Sequence, residues 1–265
     1  MMRRAKILLL AVAALLAGAA CSATPKHLRY TSRMEMQPST ESGARDPILE
    51  SIGRSVSQMV LPGGAITMTT TVGEYGIRLE WDRALPGIPE GATMIYNAKD
   101  GTSVVVNRPA KTYWRVPPSA VADLFPMQAK PQVTMARTGQ AETIAGVRTE
   151  KMTFEIRLPL PAPPDQPRPP GMPAEVTMTG EAWVAPQYAK YLGAAAKLPA
   201  MNALGMDVLA RHGLQMKQVL RSPLFGAQQL DTTVTSVSEL FVAPEQFTIP
   251  AGFTETMPMG AAGSR

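Results

Sequence analysis

The chain of 265 residues has one cysteine, Cys21, two histidines, His27 and His212, and only 6% aromatic residues. A single cysteine excludes an intramolecular disulfide, so the fold must rest on packing and hydrogen bonds. Neither an H-x-x-x-H pair nor a C-x-x-C is present, and His27 and His212 are too isolated in sequence to suggest a metal site. A G-x-S-x-G elbow, a phosphate-cradling glycine loop and an EF-hand loop are missing as well. The acidic residues are scattered. The close pair Glu80 and Asp82 falls on one wet strand row, whereas acid–base work needs two carboxyls in a cleft with opposed environments. Ser55 and Ser57 have no base nearby. The residues thus support no catalytic site, no cofactor and no metal. Excess charge is also scarce: of the formal +5, Arg3, Arg4 and Lys6 supply three, leaving +2 for the rest and no reason to expect nucleic acid.

Long apolar runs are absent after the first twenty residues. Met1 to Lys6 is basic, Ile7 to Leu16 is apolar, and Ala17-Gly18-Ala19-Ala20-Cys21 is made of small residues. That order is a secretory signal over residues 1–20, too short to span a membrane as a helix. Cys21 at its exit resembles the lipid-bearing cysteine of bacterial lipoproteins, which becomes residue one and carries diacylglycerol. Gly18 stands where such signals usually have Leu. Ordinary cleavage after Ala20 or Ala23 is the alternative. The expected location is the periplasm or the outer membrane, with Cys21 as lipid anchor.

What is plentiful is proline, at 25, glycine, at 21, and methionine, at 17. Proline and glycine at this level punctuate many short strands. Residues 93–116 show the pattern best: three strands joined by Lys99-Asp100-Gly101, where Asp-Gly suits positive φ, and by Asn107-Arg108-Pro109-Ala110. Leu28, Tyr30, Met34 and Met36 mark an opening strand. Ile66, Met68, Thr70 and Val72 form one row of the next, and Tyr75, Ile77, Leu79 and Trp81 alternate with Arg78, Glu80 and Asp82. Val133 and Met135 belong to a strand. From Arg148 to Leu158, Met152, Phe154, Ile156 and Leu158 point one way while Thr149, Lys151, Thr153, Glu155 and Arg157 point the other, the mark of a sheet with one dry face. Val176, Met178, Ala182 and Val184 continue it, with Trp183 on the opposite row. Leu214 to Leu220 and Leu230 to Phe241 are the closing strands.

Helix signals are fewer. Asp46 and Pro47 open one that runs to Leu61, Ser119 to Phe125 is a second, and Gln187 to His212 a third, interrupted at Pro199. Residues 159–173 hold eight prolines and read as a solvated connection. Pro250-Ala251-Gly252-Phe253 is a tight corner that returns an aromatic to the body, and 257–265 is a flexible tail.

A width comparison turns this pattern into a functional expectation. About ten strands at roughly 4.8 Å spacing make a sheet on the order of 48 Å wide. Two or three helices, each covering about 10 Å, leave a dry strip unless the sheet curls. A curled, incompletely closed barrel leaves an apolar hollow. Methionine, flexible and polarizable, suits such a lining, although ordinary core filling explains it too. The candidate lining residues are Met68, Met152, Phe154, Met178 and Met216.

The stretches MIYNAKDG and TYW in the meander, ETIAGVRTEKMTF at 142–154, EAWVAP at 181–186 and LFVAPEQFTIPAGF at 240–253 resemble an exported bacterial family of unknown function with a LolA/LolB-like fold. The resemblance implies an α+β fold: a large curved antiparallel sheet, an open and incomplete barrel, with two or three helices covering the concave side. One domain over residues 24–256 is expected. The functional expectation is a non-catalytic cell-envelope module binding an apolar ligand such as a lipid or acyl chain. A structural or interaction protein of the envelope with a self-filled core is the alternative. Intact mass of the membrane-recovered protein tests the anchor. Diacylglycerol on Cys21 is the expected species, and an unmodified start at Cys21 or Thr24 overturns it.

Overall fold

The structure is a computed structural model and describes residues 26–39, 61, 64–117, 131–159, 174–198 and 206–257. In chain order the strands are β1 (His27–Pro38), β2 (Ala65–Gly73), β3 (Gly76–Trp81), β4 (Ala92–Asn97), β5 (Ser103–Asn107), β6 (Thr112–Val116), β7 (Gln132–Ile144), β8 (Val147–Pro159), β9 (Glu175–Ala185), β10 (Leu214–Arg221), β11 (Gln228–Leu240) and β12 (Thr254–Glu255). They form one sheet in the order β12-β6-β5-β4-β3-β2-β1-β11-β10-β9-β8-β7. The pairing of β12 with β6 is parallel and the rest are antiparallel. β7 and β12 end the sheet on opposite sides without meeting, so it is open.

Turn chemistry sets the meander. Gly101 takes φ 71°, and the Asp100 carboxylate accepts from both the backbone N–H and the hydroxyl of Thr102, at 2.9 and 2.6 Å. Asn107 accepts from the Ala110 N–H at 3.3 Å and closes the next corner.

Several elements differ from the sequence reading. Tyr75 does not continue the Ile77–Leu79–Trp81 row. It lies in the β2–β3 turn, and its ring packs on His27, 5.0 Å away between centroids. β7 runs far beyond Met135, through Ala136-Arg137-Thr138-Gly139-Gln140-Ala141, because pairing with β8 extends a segment that propensity alone leaves undecided. Thr149, expected on a wet row, is fully buried and donates to the Glu142 carbonyl at 2.7 Å. The helix expected over Gln187–His212 is a 3-10 turn at Pro186–Tyr191, a second at Ala195–Lys197, and α1 at Met206–His212. Gly193 lies between the two 3-10 turns, and pieces this short do not amount to a long α-helix. α1 is the one α-helix among the described residues. The expected helices at 46–61 and 119–125, the signal, Cys21, most of the proline-rich connection and all but the first residue of the tail lie outside them.

The dry rows fall on one face. Leu28, Val72, Ile77 and Tyr96 are successive neighbours across β1–β4, and they cluster with Tyr191 and Leu192 of the 3-10 turn and with Met216 and Val234. On the far wing Met152, Phe154, Ile156 and Leu158 of β8 meet Val176, Met178, Ala182 and Val184 of β9 beneath Leu209 of α1. Gly180 lies directly opposite Phe154, and a Cβ there would run into the Phe154 ring and the Val219 carbonyl. Gly180→Ala is expected to cost about 1–3 kcal/mol, the usual penalty of overpacking, read as a lower urea midpoint with unchanged slope.

Candidate functional site

The five candidate lining residues do not share one environment. Met152, Phe154 and Met178, at 4, 4 and 9% exposure, belong to the β8–β9 cluster under Leu209. Met216, at 0%, is in the other cluster. Four of the five are therefore core. Met68 differs: it is half-buried on β2, directly opposite Trp81 on β3.

Around Met68 the same face stays partly open. Leu79 and Met94 are direct cross-strand partners, both half-buried, and Met34 and Met36 continue the row on β1, half-buried too. These six side chains, Met34, Met36, Met68, Leu79, Trp81 and Met94, occupy one end of β1–β4. The other end, at Leu28, Val72, Ile77 and Tyr96, is closed by Tyr191 and Leu192. Of the six, Met68 is the one among the candidate lining residues, while Met34, Met36, Leu79 and Trp81 lie on rows read from the sequence. Met94 was not assigned to a row, and nothing in a row tells which end of it is roofed.

The polar groups on this face are few. Ser32, 2% exposed, donates to the Met68 carbonyl at 3.5 Å. Burial pushes the Tyr30 phenol above its ordinary pKa, so it stays neutral. Such a surface can hold hydrocarbon by contact, and offers no nucleophile with a base beside it. Among the described residues no three His, Cys, Asp or Glu side chains come close enough to hold a metal ion. Nor is any helix among them long and apolar enough to cross a membrane.

The opposite face is laced with charge. Arg78 pairs with Glu80 at 2.8 Å and Arg157 with Glu155 at 2.6 Å. Lys151 and Lys217 lie 5.0 and 4.5 Å from the Trp183 ring, and Lys151 also reaches Glu181 at 3.0 Å. Asp231, half-buried, has its carboxyl pushed up by burial, against which the Gln229 amide donates at 2.9 Å. A cavity of about 220 Å³ also opens here, between β4–β6 and the C-terminal segment, lined by Ile95, Val104, Arg115, Phe247 and Ile249 among others. It is smaller than ordinary ligand pockets, and none of the five candidates borders it.

No protein-family model matches the chain, and no curated protein sequence matches it significantly. Among solved structures it is similar to the lipoprotein LppX of Mycobacterium tuberculosis, at 12% identity and TM-score 0.27 over 78% of this chain and 84% of that one. A LolA superfamily protein from Nitrosomonas europaea aligns at 7% identity and TM-score 0.34, over 84% and 90%. A DUF1329 family protein from Desulfovibrio piger aligns at 6% and 0.26, over 85% and 91%. At TM-scores this low the likenesses carry no functional argument, which rests on the geometry alone.

The two environments predict different mutational costs. Met152→Ala is expected to lose about 2–5 kcal/mol, as a large core side chain removed from a closed cluster does. Met68→Ala is expected to lose less than about 1 kcal/mol. Urea denaturation of the two variants side by side measures the contrast.

Proposed function

We propose that the protein is a non-catalytic cell-envelope module that holds an apolar ligand, a lipid or an acyl chain, against the open end of β1–β4. One observation carries the reading: six apolar side chains, five of them methionine or tryptophan, stay half-buried at this end of β1–β4, whereas Leu28, Val72, Ile77 and Tyr96 at the other end are buried. Removing that surface from water by a hydrocarbon chain gains roughly 25 cal/mol per Å². Methionine side chains re-pack around chains of differing length and unsaturation at little cost. In this reading the single domain spans 24–256, helices cover the concave side of the curved sheet, and export by the residue 1–20 signal delivers it to the periplasm or outer membrane with Cys21 as anchor.

A second reading has its own support. Met152, Phe154, Met178 and Met216 are fully packed by their own chain, as in a structural or interaction protein with a self-filled core. The two readings divide the sheet: its β8–β10 wing serves the core in both, and only the β1–β4 end separates them.

Titration with a fluorescent fatty acid decides. A saturable signal is expected, displaced by unlabelled fatty acid. Trp81→Ala and Met68→Ser should each weaken it about tenfold, equivalent to 1.4 kcal/mol, while Met152→Leu leaves it unchanged. Absence of saturable binding by the folded protein leaves the self-filled reading standing.

A further inference from the structure

His27, the first residue of β1, is 1% exposed, and neither ring nitrogen has a hydrogen-bond partner. A buried polar group without a partner is costly, and a buried charge more so. The imidazole instead lies between two rings. Phe247 stacks on it at 5.3 Å with 22° between planes, and Tyr75 tilts against it at 5.0 Å. Opposite it on β2 stands Gly73, where a Cβ would collide with the ring. The site is therefore built around an uncharged, unbonded histidine.

Phe247 is also what seats the C-terminal segment. It ends the 3-10 turn Pro244–Phe247, is 1% exposed, and joins Ile95, Val104, Val106 and Val242 in a cluster on β4 and β5. Its carbonyl accepts from the Asn97 amide at 3.3 Å. Further on, the segment is held at β6: the Thr254 and Thr256 N–H groups donate to the Lys111 and Tyr113 carbonyls at 3.1 and 2.8 Å. Glu255 takes the Tyr113 hydroxyl at 2.8 Å and the Arg115 Nε at 3.2 Å. The segment 243–257 is thus a strap pinned at both ends, with the 220 Å³ cavity under its first half.

We propose that His27 is an acid-operated latch for this strap: once protonated, the ring gives up its stack with Phe247, and residues 243–249 lift from β4 and β5 and open the cavity beneath. Of the charged and titratable groups around the ring, Glu74 alone favours an imidazolium, and it does not outweigh the burial. Glu74, the carboxylate of the neighbouring turn, is already engaged by Lys26 at 3.1 Å and by the Tyr75 hydroxyl. Lys26 repels an imidazolium, and Glu245 on the 3-10 turn acts on Tyr75. From β11 the facing residue is Leu240, which is apolar.

Burial holds the His27 pKa below its ordinary 6.5, with Glu74 opposing and Lys26 assisting. The closed strap therefore binds fewer protons than the open one. Its stability is complete above pH 6.5 and is lost as pH falls toward the depressed value, at the slope of one proton. The population of open strap is expected to rise about tenfold per pH unit in that window.

Proton–carbon NMR of the full-length mature protein between pH 8 and 4.5 tests this, since only His27 and His212 contribute imidazole signals and a His212→Gln variant assigns them. The His27 ring and the amides of Phe247, Thr248 and Ile249 are expected to titrate with one shared midpoint below 6.5. Hydrogen exchange of those amides, corrected for intrinsic rate, should accelerate about tenfold per pH unit. In His27→Phe, which preserves the stack, the transition should vanish, and in Glu255→Gln it should persist. The latch is overturned if His27 titrates while the strap amides do not, if neither titrates by pH 4.5, or if the strap transition survives in His27→Phe. The wild-type co-titration alone decides should that variant fail to fold.

Discussion

Alternation of side chains along each strand is the constraint on which the structure depends. Because the strands share one register, a dry row on β1 commits β2, β3 and β4 to dry rows at matching positions, and Leu28, Val72, Ile77 and Tyr96 are that commitment made visible. An open sheet multiplies the problem, since each added strand widens the face to be covered without bringing its own cover. The chain answers differently at different places. On β8 and β9 side chains interdigitate under Leu209, with Gly180 making room for Phe154. At one end of β1–β4 the 3-10 turn supplies Tyr191 and Leu192. At the other end, closure is incomplete.

The opposite face obeys a second logic. Several of its ion pairs, Arg33–Glu35 and Arg157–Glu155 among them, join residues two apart on one strand and are largely exposed, so each contributes little stability. Their effect is to fix which row faces water, because a one-residue slip would bury them all. Where β4 and β5 turn apolar on this side too, at Ile95, Val104 and Val106, the C-terminal strap covers them.

Much of this was legible from residue order. The Asp-Gly corner, the Pro250–Phe253 corner and the Met152–Leu158 alternation correspond to the observed meander, the returned Phe253 and the closed β8 row. What was not legible depends on partners distant in sequence. Tyr75 shares parity with Ile77, yet a turn at Glu74 sends it to His27 and Phe247. The middle of β7, from Ala136 to Ala141, has Thr138 as its single β-branched residue, and β8 beside it holds it in the sheet despite an irregular register between Arg137 and Ala141. Methionine content pointed to a lining, but four of the five chosen residues are core, since periodicity identifies a face and not the depth at which a residue on it lies. His27, read as a histidine without a metal spacing, proved to be the buried one.

The placement of β1 has a consequence for biogenesis. This strand sits in the middle of the sheet between β2 and β11, so residues near 30 hydrogen-bond with residues near 235. Neither half of the sheet can be joined to the other until almost the entire polypeptide has been synthesised. Such remote pairing slows folding, and it leaves the inner edges of both half-sheets open until the amino-terminal strand meets its partner near residue 235.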